Sequence, residues 1–378
     1  MSRALARRVA PVAILMVLMA VFGYGVYRLL GHFGHLGSTP ALAPPADPRN
    51  ERPAVVLPGT IYVVQDGDLY AMRAGRFTLV APHRDGAAWA QPAAAGGGRL
   101  LAVTRTADHS DVMLVDAGGN TVAQLTHDAS PARRDGSLED NHWAFHPRPS
   151  VDGRTLFLDF DSPKSGFLVD FAIWAMPWPA APPGTPPASA HLTNVSPPVA
   201  GSRRWTTPDD YTGGDIEPTP LPGGGILFVR YLVDNTFQVH SQVMLVRAAL
   251  ADPVALTPPE DDCAQPALSP DGTRLAMVCR HGRQTADLEV ATLAPAAGGG
   301  AGSTLVGRAS LVAGNLAGSP TWAPDGSGIA YIAPAVAGGN FQLWWLPGAA
   351  AGRAAAPVQV TSTVGLDATS APAWLPPP

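Results

Sequence analysis

Two polar stretches carry the side chains best suited to chemistry. Glu139, Asp140, His142 and His146 lie close together, as do Asp209, Asp210, Asp215 and Glu217. Carboxylates beside imidazoles can hold a divalent cation or act as a general acid–base pair. His142, His146, Asp215 and Glu217 are the candidates for catalysis if the fold brings the two stretches together. The plainer alternative makes them solvated loop residues, with His146 and Glu217 hydrogen-bonded beside strands. Their spacing matches no metal motif, so no metal site and no cofactor are assigned. A second set, Arg203, Arg204, Trp205 and Tyr211 with Asp140, suits a protein or peptide partner, since arginine and large aromatics dominate interface hot spots. The alternative tucks Trp205 against a strand with the arginines lying over it.

Several enzyme signatures are missing from the sequence. It contains no Gly-x-Ser-x-Gly, no His-Glu-x-x-His, no Cys-x-x-Cys and no phosphate loop ending in Gly-Lys. The net charge of −5, with no basic tract beyond the first residues, argues against a nucleic-acid partner.

The elements that must position these residues are strands. In Pro266–Val278, PALSPDGTRLAMV, two short strands fold about Ser269-Pro270-Asp271-Gly272. Proline presets φ, aspartate suits the second central position, and glycine accepts the positive φ that follows. Related segments open at Pro92, Pro147, Pro218, Pro320 and Pro372, and with Pro266 the series advances in steps of 55, 71, 48, 54 and 52 residues. A period near fifty with strands and no helical pattern predicts propeller blades of four strands each. After Pro372 there is room for one strand only, while Gly59–Pro82 holds three strands without an opening one. The two fragments complete one blade, giving an all-β, six-bladed propeller closed by exchange between the N- and C-terminal ends, with no free sheet edge.

Within that frame blade three is expected to end with a strand at His191–Asn194. Long loops at Thr126–Trp143, Val195–Asp215 and Tyr231–His240 are expected to crowd one end of the central channel. If Leu268 faces Arg274, Cys263 faces Cys279, within disulfide reach. In an oxidising compartment that pair is expected to be bridged.

Ahead of the propeller, Arg3, Arg7 and Arg8 precede an uncharged apolar run from Val9 to Tyr27. As a helix it spans roughly 28 Å, close to a bilayer's hydrocarbon thickness. The arginines favour a cytoplasmic N-terminus and an extracytoplasmic body, periplasmic or at the cell surface. A cleaved signal sequence is the competing reading, its nearest small-residue triplet being Ala41-Leu42-Ala43. The expected division is residues 1–34 as a cytoplasmic stub with a single-pass transmembrane anchor (or signal sequence), 35–56 as a Pro/Ala-rich linker, and 57–378 as the propeller.

The pattern P-x-[WL]-[SA]-P-D-G, clearest at Pro266 and Pro320 and truncated in PAWLP at Pro372, resembles the TolB-like propeller repeat, a WD40-like Pro-Asp-Gly motif. The resemblance implies the fold from about residue 57 onward. Such propellers occur as periplasmic protein-binding modules, as domains attached to serine peptidases and as stand-alone exported proteins. TolB itself carries an α/β domain before its propeller, and here a short tether takes that place, so its role in outer-membrane assembly is not carried over. No α/β domain follows to supply a hydrolase triad. The expectation is a membrane-tethered, non-catalytic module binding a protein, peptide or envelope component. The alternative is a propeller-type polysaccharide lyase or glycosidase using the carboxylate–histidine cluster.

Overall fold

A computed structural model describes residues 44–377 other than 85, 131–139, 165–168, 179–191, 283, 296–302 and 353–355. Six four-stranded antiparallel sheets form the blades. Blade one joins β1 (Thr60–Gln65), β2 (Asp68–Arg73) and β3 (Arg76–Ala81) to β24 (Ala373–Leu375). Blade two is β4 (Ala88–Gly96), β5 (Arg99–Arg105), β6 (Ser110–Val115) and β7 (Thr121–Gln124). Blade three comprises β8 (Ala144–Pro149), β9 (Thr155–Phe160), β10 (Ala172–Pro177) and β11 (Arg203–Arg204). Blade four has β12 (Asp215–Pro220), β13 (Ile226–Val233), β14 (Val239–Val246) and β15 (Val254–Ala255). In blade five are β16 (Cys263–Leu268), β17 (Arg274–Cys279), β18 (Asp287–Pro295) and β19 (Ser303–Val312). Blade six contains β20 (Gly318–Trp322), β21 (Gly328–Pro334), β22 (Phe341–Pro347) and β23 (Val358–Gln359).

Closure is as expected: β24 pairs with β1, setting Ile61 opposite Trp374 and Tyr62 opposite Ala373. The apolar residues of alternating strand positions fill the layers between neighbouring blades. One such layer holds Tyr62, Leu69, Trp89 and Leu100, and another holds Val290, Trp322, Tyr331 and Leu346. The Pro-Asp-Gly turn forms as its residues dictate. Ser269 N–H donates to Arg274 O at 2.8 Å, Gly272 N–H donates to Ser269 O at 2.8 Å, and Gly272 has φ +72°. A side chain at Gly272 would also collide with Pro222 of blade four, so the turn is tight against its neighbour.

Three expectations need correction. The outer strand of blade three is Arg203–Arg204, paired with Ala175 and Trp174, not His191–Asn194. His191 lies outside the described residues, and Thr193 and Asn194 are occupied elsewhere: Thr193 O bonds His142, and Asn194 O accepts from Lys164 N–H. The stretch 195–215 therefore divides in two. Its first part ends the link from third to outer strand, and only 205–214 crosses to the next blade. In blade four the strands run on through Tyr231 and His240, paired with Ser241 and Leu232, leaving a turn at 234–238 in place of a ten-residue loop. The register of blade five is also shifted near its turn, where Leu268 faces Leu275. A bulge between Ala264 and Ala267 restores the offset, so Cys263 lies opposite Cys279 and the two are disulfide-bonded.

Part of the expected linker packs on the propeller. Glu51 accepts backbone hydrogen bonds from Ser362 and Thr363, and Ala54 N–H donates to Val360 O. Among the described residues no helix is long and apolar enough to cross a membrane. The apolar run Val9–Tyr27, and with it the anchor or signal, lies outside them.

Candidate functional site: the central channel

Each inner strand of blades two to six is bulged at the residue before its proline. Gln91, His146, Glu217, Gln265 and Ser319 all have φ between +46° and +59°. A residue before proline ordinarily stays extended, and non-glycine positions at positive φ carry strain of order 1–3 kcal/mol. A closed ring of hydrogen bonds holds them. Gln91 Oε1 accepts from His146 N–H (2.8 Å), Asp159 Oδ1 from Glu217 N–H (2.9 Å), and Glu217 Oε2 from Gln265 N–H (2.7 Å). Gln265 Oε1 accepts from Ser319 N–H (2.6 Å), and Ser319 Oγ donates to Ala368 O (2.8 Å). Ser370 Oγ accepts from Gln91 N–H (3.0 Å), completing the circuit. Between blades three and four the connection is relayed, with His146 Nδ1 bonded to Asp159 Oδ2 at 2.5 Å.

From this ring a cavity of about 430 Å³ runs to the turns that join first and second strands. All six inner strands line it, and its wall is rich in proline (Pro92, Pro149, Pro218, Pro266, Pro320, Pro372), with Trp322 and Trp374 at one side. The cavity therefore lies toward the end of the channel that carries these turns. His146, Arg148 and Glu217 bring its charge.

The expected catalytic residues are separated. His142 is buried above blade three, its Nδ1 bonded to Asp161 Oδ1 at 2.6 Å and its ring stacked on Phe160. Lys164 meets the other Asp161 oxygen at 3.2 Å. Asp215 is buried in a two-pronged pair with Arg230, at 2.7 and 2.8 Å. Burial pushes its carboxyl upward, and the Arg230 guanidinium opposes that shift. Only His146 and Glu217 reach the channel, each engaged in the ring. Asp140 is half-buried just before His142, Asp209 and Asp210 are exposed, and Glu139 lies outside the described residues.

Of the expected binding residues, Trp205 packs between blades three and four, 7% exposed and edge-on to Phe157 at 4.9 Å. The Arg203 guanidinium lies over it, 5.9 Å from the ring centroid. This is the tucked arrangement, so Trp205 does not present a surface anchor. Tyr211, by contrast, is 77% exposed, and Phe237 at the blade-four turn is 88% exposed. The His281–Glu289–Cys279 grouping near the disulfide has metal-type donors. The Cys279 sulfur is bonded to Cys263, however, and Arg308 joins Asp261 to Glu289 there.

The sequence reading missed Gln91, Asp159, Gln265, Ser319 and Arg148. A signal was available for most of them, because they sit at or beside the recurring inner-strand proline. Asp159 carried none, since it lies mid-strand in an apolar run.

The His146–Asp159 contact has a pH consequence. Burial raises Asp159 to about 6, with His146 pulling it down. Burial would lower His146, but the Asp159 charge and hydrogen bond raise it above its usual value. Both folded values lie above the unfolded ones, so the native pair holds more protons. Its contribution therefore falls as pH rises, first as Asp159 ionises and then as His146 loses its proton. Wild type compared with the His146→Gln/Asp159→Asn double variant, by urea unfolding, should lose on the order of 2 kcal/mol of relative stability between about pH 4 and about pH 8. A flat difference would refute the assignment.

No protein-family model matches the sequence, and no curated protein matches it. Solved structures do match in fold. TolB from Acinetobacter baumannii aligns with TM-score 0.55 at 17% identity, over 84% of this chain and 67% of that one. A putative TolB from Agrobacterium tumefaciens aligns at 0.49 and 12%, over 84% and 93%. A puromycin hydrolase aligns at 0.45 and 18%, over 72% of this protein but only 38% of its own length. With six sheets around one channel and β24 closing the first, the protein is a TolB-like six-bladed β-propeller in fold.

Proposed function

We propose that this propeller is a non-catalytic binding module, held outside the cytoplasm by an N-terminal membrane anchor, that takes an extended segment of a protein or peptide partner into its channel. The observation that carries this reading is the cavity of about 430 Å³, walled by prolines, small residues and two tryptophans. Such a concave, mostly apolar space with a few polar groups is the usual form of a ligand site. Its carboxylates and imidazole spend their hydrogen bonds on joining blades, an arrangement that favours binding over the polysaccharide-cleaving alternative. Exposed Tyr211, on the link from blade three to blade four, and Phe237, on the blade-four turn, favour a second reading, a partner docked on these loops.

Selection from a displayed peptide library separates the two. Binding by enriched peptides should fall about tenfold or more in Ala94→Trp, which narrows the channel from an exposed position, and persist in Tyr211→Ala/Phe237→Ala. The reverse pattern would move the site to the loops. The placement outside the cytoplasm requires that added protease cleave the propeller in intact spheroplasts; protection until lysis would exclude it.

A further inference from the structure

One position on the channel wall breaks the repeat. After the inner-strand proline, five blades carry a small residue: Ala93, Thr219, Ala267, Thr321 and Ala373. Blade three carries Arg148. The two threonines turn their hydroxyls to the wall, donating to Pro266 O and Pro372 O at 2.8 and 2.6 Å. The room left by five short side chains thus faces a single guanidinium.

That guanidinium is poorly matched by the protein. Its one hydrogen bond among the described residues goes to the carbonyl of its own neighbour, Pro147, at 3.1 Å. It has no carboxylate within ion-pair distance there, whereas the described arginines Arg230 and Arg308 do. The acids whose charge reaches it are Glu217, one of whose oxygens is taken by Gln265 N–H, and Asp159, which is bonded to His146 and to Glu217 N–H. Burial lowers the Arg148 value, and the attraction of Glu217 and Asp159 does not make up for it. Arginine offers five N–H donors in a planar fork that fits a carboxylate with two parallel bonds. A partly desolvated charge without a partner is destabilising until an anion arrives.

We propose that Arg148 is the anchor of a carboxylate subsite within the channel. It receives an acidic group of the bound segment, either an aspartate or glutamate side chain or a free C-terminus. The prolines and tryptophans around it pack the adjoining residues. This inference rests on the channel being the binding site and adds the chemistry that selects the occupant.

The test uses the full-length protein and hexapeptide pools with Asp, Asn or Lys fixed at a central position, each with a free or amidated C-terminus. Binding is read from the fluorescence of the channel tryptophans and checked by calorimetry. The amidated Asp pool and the free-ended Asn pool distinguish the two carboxylate sources. At least one should bind about tenfold tighter than the amidated Asn pool, with the Lys pool weakest. Arg148→Met should erase that preference, and Arg148→Lys should keep part of it. The unliganded Arg148→Met protein should melt no lower than wild type, a result that a structural role for the arginine would not give. Equal binding of carboxylate-bearing and carboxylate-free pools overturns the subsite and leaves the channel reading intact. If no pool binds and Ala94→Trp changes nothing, both fall.

Discussion

Trp374→Ala is expected to cost about 3–5 kcal/mol, and removal of residues 371–378 to abolish a single cooperative melt. The reason is how little holds the ring shut. β24 is three residues long, and Trp374 is its buried centre. The indole lies edge-on to Trp345, with ring centroids 5.4 Å apart, and its N–H donates to Pro58 O at 2.7 Å. It also packs in the layer that joins blades six and one, with Ile61, Leu343 and Leu366. Losing it opens a cavity in that seam and weakens the pairing of Ile61. Losing the whole strand bares the β1 edge, a template for pairing with another molecule. Denaturant unfolding measures the first effect and light scattering the second. A Trp374→Ala variant within about 1 kcal/mol of wild type would show that closure depends on something else.

Asp161→Ala is expected to be nearly as damaging, about 3–5 kcal/mol, although it lies away from any proposed ligand. Its two oxygens receive His142 and Lys164, and all three side chains are almost wholly buried. Lys164 also donates to Asn141 O, and His142 reaches Thr193 O at 2.8 Å, so the carboxylate lies at the centre of a network tying three segments together. Without Asp161 the buried His142 and Lys164 lose the acceptor they share, and the desolvation already spent on burying them is no longer offset there. Replacing the three together by apolar residues of similar size should be much milder, because the penalty comes from the orphaned partners. If the single and triple variants unfold at the same denaturant concentration, the network is not what holds this corner of blade three.

The repeat was legible because its turn is local chemistry: proline, aspartate and glycine adopt their conformations within a few residues, wherever the segment sits. The exchange of β24 into blade one followed from counting strands at the two ends. β11 escaped notice because Arg203-Arg204 has no apolar alternation, and its pairing comes from Trp205 docking between blades. The bulges at Gln91, His146, Glu217, Gln265 and Ser319 were hidden for the opposite reason. Local preference before proline is extended, and only the neighbouring blades overrule it. His142 and Asp215 looked like chemistry because the primary structure cannot tell a buried ion pair from an open one. Arg148 was visible as the odd residue among six aligned positions, but its significance needed the cavity around it.

The linkage at the head of the channel also bears on how the blades find their places. Its reaching side chains differ around the circle, Gln91, Asp159, Glu217 and Gln265, but each accepts from the main-chain N–H of the bulged residue on the next blade. Every recipient is the same kind of group, so the circuit fastens adjacent blades without reading the side chain at the receiving position, and the order of six similar modules is left to the covalent connections between them.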